Sequence, residues 1–213
     1  MKTSRYIIAS GFLILLSILI GIGLYNQMPD LVASHWDIDG KVNGYMSKFW
    51  GVFIMPIISS ILLVILLLVP KLDPLNKNIA EFKNYYYKFI LVLVAFLFYL
   101  YLITLAWNLG YEFNMNRYIA PAFGILFYFL GVLLENSKQN WFIGIRTPCT
   151  LSNEKVWDKT HKLGGKVFKF GALLISLGIF LPNLFFAFML VATLVFIIFS
   201  FGYSYYLYTK EKK

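Results

Sequence analysis

Two histidines, a single cysteine and a scatter of acids are the residues of this chain best equipped for chemistry, and their spacing decides how much they can do. Asp30, His35, Asp37 and Asp39 fall within ten residues and offer oxygen and nitrogen donors of the kind that hold a divalent cation. The spacing differs from the calcium loop, whose third acidic ligand directly precedes the glycine at its sixth position. No second histidine completes a zinc pair. The expectation is no metal, no cofactor and no catalytic residue here, with Trp36 beside His35 exposed as an aromatic anchor for a peptide partner. Cys149 has cations close by that would favour its thiolate, yet a lone cysteine has no partner for a disulfide and is more often inert. His161 follows Trp157 by four residues, which puts both on one helical face. Whether any of these groups meet depends on the elements that carry them.

Those elements come from an apolar chain. Of 213 residues, 60% are hydrophobic and 14% charged, with a mean hydropathy of +0.71; a soluble domain holds roughly 45–50% and about 25%. Six apolar windows recur, at 6–25, 49–69, 89–107, 118–134, 167–182 and 184–208. About 20 residues cross a ~30 Å hydrocarbon core. Five windows carry no Asp, Glu, Lys, Arg or His. The window 167–182 holds sixteen residues and includes Lys169, so it depends on Lys166 and Lys169 snorkelling to the interface; a re-entrant segment before Pro182-Asn183 is its alternative. The expected fold is an all-α integral membrane protein, a six-transmembrane helix bundle with both termini cytoplasmic. Stretches between windows reach only about thirty residues, below the ~40 that usually fold alone, so a separate soluble enzyme domain is excluded.

Lysine and arginine set the orientation. One side carries Lys2, Arg5, Lys71, Lys77, Lys83, Lys88, Lys138, Arg146, Lys155, Lys159, Lys162, Lys166, Lys169, Lys210, Lys212 and Lys213; the other carries Lys41, Lys48 and Arg117. The side with sixteen is cytoplasmic by the positive-inside rule. The net charge of +9 is therefore a topology signal with an attraction to anionic membrane lipids, and it gives no reason to expect direct nucleic-acid binding. Residues 1–5 look like the basic start of a secretory signal, but the following apolar stretch exceeds the usual 7–15 residues and Asn26-Gln27-Met28-Pro29 offers no small-residue cleavage site. Residues 1–25 then form the first span with a cytoplasmic N-terminus, 26–48 an extracellular loop and 49–135 spans two to four. Residues 136–165 form a cytoplasmic loop with a short amphipathic helix, and 166–213 spans five and six with a cytoplasmic C-terminus.

The two longer loops hold the remaining polarity. In 26–48, Asp39-Gly40 and Asn43-Gly44 predict a pair of tight turns. In 136–165, Asn153 is an N-cap, Glu154 and Asp158 sit early, Lys159 and Lys162 late, and Gly164-Gly165 end the run, which predicts a short helix over 154–163. Such a helix lies in the interface with Trp157 dipped toward lipid, or presents that face to a protein. Arg146 is expected to bind lipid phosphates or helix C-terminal carbonyls and so hold the loop against the bundle.

Both loops also resemble a known family. Asn140 to Leu151, NWFIGIRTPCTL, followed by Val156-Trp157 and Thr160-His161-Lys162-Leu163-Gly164-Gly165, is similar to the N-x-x-x-G-I-R-T-P-W-T-L, V-W and T-H-R-x-G-G pattern of the SdpI family. These are bacterial multi-pass membrane proteins known for immunity to a sporulation-delaying toxin. Asn140, Gly144, Ile145, Arg146, Thr147, Pro148, Thr150, Leu151, Trp157, His161 and Gly164 match; Cys149 stands where the family has tryptophan, which removes an interfacial anchor and bears on partner choice. Met28-Pro29-Asp30, His35-Trp36, Gly40 and Asn43-Gly44-Tyr45 resemble a domain of unknown function found near the N-terminus of such proteins. The resemblance implies an immunity membrane protein that resists a secreted peptide toxin met at its outer face, and a receptor that draws a cytoplasmic repressor protein to the membrane. On that reading His35, Trp36, Asp37 and Tyr45 contact the toxin, while Asn140, Gly144, Arg146, Thr147, Pro148, Trp157 and His161 form the cytoplasmic motif.

Two other classes compete. A small-molecule secondary transporter would carry ionisable residues mid-membrane, which the windows lack, although Pro56 and Pro121 could open sites built from backbone. A membrane-embedded lipid-modifying enzyme needs a nucleophile with a base, a metal cluster or a carboxylate pair. The two histidines are expected on opposite faces and the acids are scattered, so the protein is expected not to be an enzyme.

Overall fold

Segments this apolar have to fold as helices, because a backbone in hydrocarbon must satisfy its own N–H and C=O groups. The computed structural model describes residues 3–211; Lys2, Lys212 and Lys213, which contribute to the orientation, lie outside the described residues. Chain order is α1 (Ser4–Leu24), β1 (Leu31–Trp36), β2 (Val42–Ser47), α2 (Lys48–Leu72), α3 (Asn76–Asn108), α4 (Met115–Asn136), α5 (Pro148–Ser152), α6 (Glu154–Ser176) and α7 (Phe185–Glu211). Among the described residues, five segments are long and apolar enough to cross a membrane: Ser4–Gln27, Lys48–Leu72, Asn76–Asn108, Met115–Asn136 and Pro182–Glu211. The chain is a multi-pass helical membrane protein. An all-α fold omits one element, the antiparallel hairpin of β1 and β2.

On α1 the inward face is built mostly of small residues and the outward face of bulky apolar ones. In α1, Ser10, Ile14, Ser17 and Gly21 are buried at intervals of three and four, while Ile8, Phe12, Leu15, Leu19 and Ile22 are exposed. Lipid tails remove the hydrophobic drive between helices, so close approach of small side chains does the packing. The serine hydroxyls stay satisfied within the helix: Ser10 donates to the Tyr6 carbonyl at 2.9 Å and Ser17 to that of Ile14 at 2.6 Å. Ile14 joins Ile79, Phe82, Tyr86, Ile90 and Val94 of α3 and Leu133 of α4 in one core cluster.

The most extensive helix pairing is that of α4 with α6. Ala120, Gly124 and Gly131 of α4 meet Gly178 beyond the end of α6, then Ser176 and Ala172, then Gly165. This corrects the helix expected over 154–163. Gly164-Gly165 do not end it; α6 runs unbroken from Glu154 to Ser176, because the glycine pair is a contact surface. A Cβ on Gly165 would collide with the Gly131 carbonyl and the Glu135 side chain, and one on Gly164 with Ile145. Lys169, expected to snorkel, instead bonds Glu135 of α4 at 2.5 Å. The window 167–182 is the apolar half of α6 plus the turns that follow, running antiparallel to α4.

The bundle has two different ends. At one, the hairpin meets the end of α3 through Asn108 and the start of α4 through Asn116. At the other, the turn after α2 meets residues 137–153 through Asp73 and Trp141, and these meet α7 through Thr147 and Ser204.

Candidate functional site

The hairpin is held by side-chain amides in place of a disulfide. The N–H of Ala33 donates to Asn108 Oδ1 at 2.7 Å, and Asn108 Nδ2 returns a bond to the Ala33 carbonyl at 3.0 Å, so one amide completes the edge of β1 as a third strand would. Asn116 Nδ2 donates to the Ile38 carbonyl at 2.8 Å. Gly51 at the start of α2 leaves the space that Val32 fills.

Only one of the two expected turns exists. Asp37 Oδ1 accepts the backbone N–H groups of Asp39 and Lys41, each at 2.9 Å, and Gly40 takes φ +77°, which closes the hairpin. Asn43-Gly44 lies inside β2, where Gly44 pairs with His35 at a register shift. The four candidate residues of the hairpin therefore separate. His35 is exposed with Nδ1 bonded to Asn43 Oδ1, and Tyr45 is 59% exposed. Asp37 has a carboxylate oxygen committed to the turn. Trp36 is not the exposed anchor expected of it: it is half-buried and stands edge-on to Trp107, ring centres 5.8 Å apart. Among the described residues no three His, Cys, Asp or Glu side chains gather as metal ligands.

The motif at the loop end is wired through its polar atoms. Asn140, fully buried, accepts the N–H groups of Phe142 and Ile143 and donates to the carbonyls of Lys138 and Ile143. Thr147 and Thr150 form a reciprocal capping box that starts α5, with Pro148 at its first turn. Thr147 also donates to Ser204 of α7 at 3.0 Å, and Thr150 to the Ile145 carbonyl at 2.7 Å. Asn153 caps α6 as expected, accepting from Lys155 and Val156.

Trp157 and His161 do share a face, but that face is buried, not dipped toward lipid. Trp157 is 0% exposed, and its Nε1–H donates to the Ser137 carbonyl at 3.1 Å. The two rings stack with centres 3.9 Å apart. His161 Nε2 accepts the Ile145 N–H at 2.8 Å while Nδ1 donates to the Trp157 carbonyl at 2.8 Å, so both nitrogens are engaged and the ring is neutral. Burial pushes its pKa down to about 4 from 6.5. A histidine so committed has no free nitrogen for proton transfer. Gly144, at φ +123°, passes the His161 ring so closely that a side chain would strike it.

Arg146 is exposed and donates to the Trp141 carbonyl at 2.7 Å, so it bonds a carbonyl of its own loop. Cys149 is half-buried on α5. Several supporting residues escape a loop-by-loop reading: Asp73, 1% exposed, takes the N–H groups of Leu75 and Trp141, and Gln139 donates to the carbonyls of Thr150 and Leu151. A lone acid just after an apolar window was the available signal for Asp73.

Comparison with known proteins bears on both ends. The model of the SdpI/YfhL protein family matches residues 136–204, and that of a domain of unknown function (DUF1648) matches residues 12–59. The chain is similar to the immunity protein SdpI of Bacillus subtilis (strain 168), 31% identical over 205 residues that cover 95% of this chain and 96% of that one. No solved structure matches the chain.

Proposed function

The chain belongs to the SdpI/YfhL protein family, and on that footing we propose that it is an immunity protein of the cell membrane that protects its bearer from a secreted peptide toxin. The observation that carries the reading is the contrast in exposure: at the hairpin His35 and Tyr45 are exposed on a clamped scaffold, whereas the motif at the other end spends most of its side chains on its own backbone. Recognition then takes place at the hairpin face, with His35 and Tyr45 in contact and Trp36 and Asp37 shaping the surface beneath them.

The lysine and arginine distribution supports a hairpin outside and both chain ends in the cytoplasm. The length of α6 alongside α4 supports a sixth crossing, made by its apolar half. A second role, drawing a cytoplasmic repressor protein to the membrane, falls to the exposed lysines of α6, Lys155, Lys159, Lys162 and Lys166.

The test is protection. The chain is expressed in a toxin-sensitive host, membrane insertion is verified, and purified sporulation-delaying peptide is added; survival is expected, and full killing defeats immunity to that peptide. A cysteine placed at Ser47 in a Cys149→Ser background should react with an impermeant reagent on intact cells. Labelling only after permeabilisation reverses the orientation.

A further inference from the structure

The seam where α1, α2 and α3 meet is apolar except for one small hollow. Its walls include Ser17 of α1, Pro56 and Ser59 of α2, and Val94 and Leu97 of α3. Its volume is about 10 Å3, room for a single water-sized sphere and far too little for an acyl chain or a peptide side chain. Ser17 and Ser59 each lie near the middle of their helices, so the hollow sits within the hydrocarbon layer.

The two serines have complementary needs. Ser59 is 6% exposed, and its hydroxyl makes no hydrogen bond among the described residues. Packing does not seal it: the unpartnered side-chain atoms closed off by their neighbours are Trp36 Nε1, the Tyr101 hydroxyl and Thr160 Oγ1, and Ser59 Oγ is not one of them. As a wall residue, Ser59 turns the surface it keeps into the hollow. Ser17 has already given its proton to the Ile14 carbonyl at 2.6 Å, so its oxygen can only accept. A hydroxyl with a proton to give and another with lone pairs to spare thus border one space from different helices. An unmet donor is costly in a medium without water, and a hollow walled by hydroxyls is not the apolar kind that stays dry.

We propose that this hollow holds one ordered water molecule that accepts from the Ser59 hydroxyl and donates to Ser17 Oγ, bridging α2 to α1 in mid-membrane. The donations then run in one direction, from Ser59 through the water to Ser17 and on to the Ile14 carbonyl, an order in which each bond strengthens the next. Pro56 in the wall carries no N–H and interrupts the α2 ladder, a kind of break that ordered water accompanies in membrane helices. Because lipid does not press apolar helices together, a polar bridge between them adds to their association. The site does not depend on the immunity reading.

The full chain carrying isotope-labelled serine is reconstituted in liposomes, and transfer of magnetisation from water protons to the serine Cβ carbons is followed by solid-state NMR. Ser10, fully buried with its hydroxyl bonded to the Tyr6 carbonyl, is the dry reference. The Ser17 and Ser59 signals are expected to build up at least about twofold faster than that of Ser10. Build-up at Ser59 no faster than at Ser10 overturns the proposal; if Ser59→Ala then still lowers the melting temperature, the two serines bond each other directly. Ser17→Val removes the acceptor and fills the hollow, and should bring Ser59 down to the Ser10 rate. Fast build-up at Ser59 that survives this substitution also overturns the proposal, since the water would then be held elsewhere.

Discussion

The hairpin end and the loop end of this bundle carry motifs of similar density but use them in opposite ways. At the loop end the most distinctive residues are the most buried: Asn140, Thr150 and Trp157 are each 0% exposed. At the hairpin end burial belongs to Val32 and Ala33, while His35 and Tyr45 project outward. A recurring pattern in sequence therefore marks two different demands. One is for a backbone that can be built in only one way; the other, on the proposed reading, is for a surface held still enough to be recognised.

Substitutions at the two ends should separate these demands. The largest effect belongs to Trp157→Ala, which leaves a cavity beside His161 and an unpaired Ser137 carbonyl; a loss of about 4 kcal/mol is expected, read as a melting temperature lowered by roughly 10 °C in detergent. An unchanged melt would mean the inner motif is not structural. Next comes pH. His161 is neutral in the fold with its pKa lowered, so the unfolded chain takes up the proton first. Its contribution is whole above about 6.5, declines as pH falls and nears a loss of about 3 kcal/mol around 4. Melting between about pH 7.5 and 5 should show this decline, and His161→Gln, lower to begin with, should flatten it.

At the hairpin the signs reverse. Tyr45→Ala should leave the melting temperature within the scatter of surface substitutions, about 0.5 kcal/mol, while reducing protection from toxin by the tenfold or more typical of an aromatic anchor. If protection is intact, the recognition surface lies elsewhere. The smallest effect is expected of Asp30→Asn. Its partner Lys48 is 3.1 Å away, but Asp30 itself is almost wholly solvated, so neither stability nor protection should move measurably.

The helices were legible because membrane spans announce themselves through length and the absence of charge, and the N-cap at Asn153 through its own side chain. The hairpin was not. Asp39-Gly40 and Asn43-Gly44 send the same local signal, and what selects the first is the Asp37 carboxylate, with Asn108 fastening β1 from across the sequence. Gly164-Gly165 deceived for a related reason: glycine ends a helix or admits a neighbour, and only the presence of Gly131 on another helix decides. Periodicity likewise put Trp157 and His161 on one face without saying what covers it. The covering is backbone from residues 137–145, which no pattern within α6 reveals.

The continuity of α6 has a mechanical meaning. Twenty-three residues make a rod about 35 Å long, keyed at one end to the Trp157–His161 stack and reaching at the other toward the turn where Gly178 seats Ala120 and touches Phe185. A broken helix would absorb a push at either end in its joint. An unbroken one has no such joint, and the Glu135–Lys169 pair ties it to α4 partway along its length.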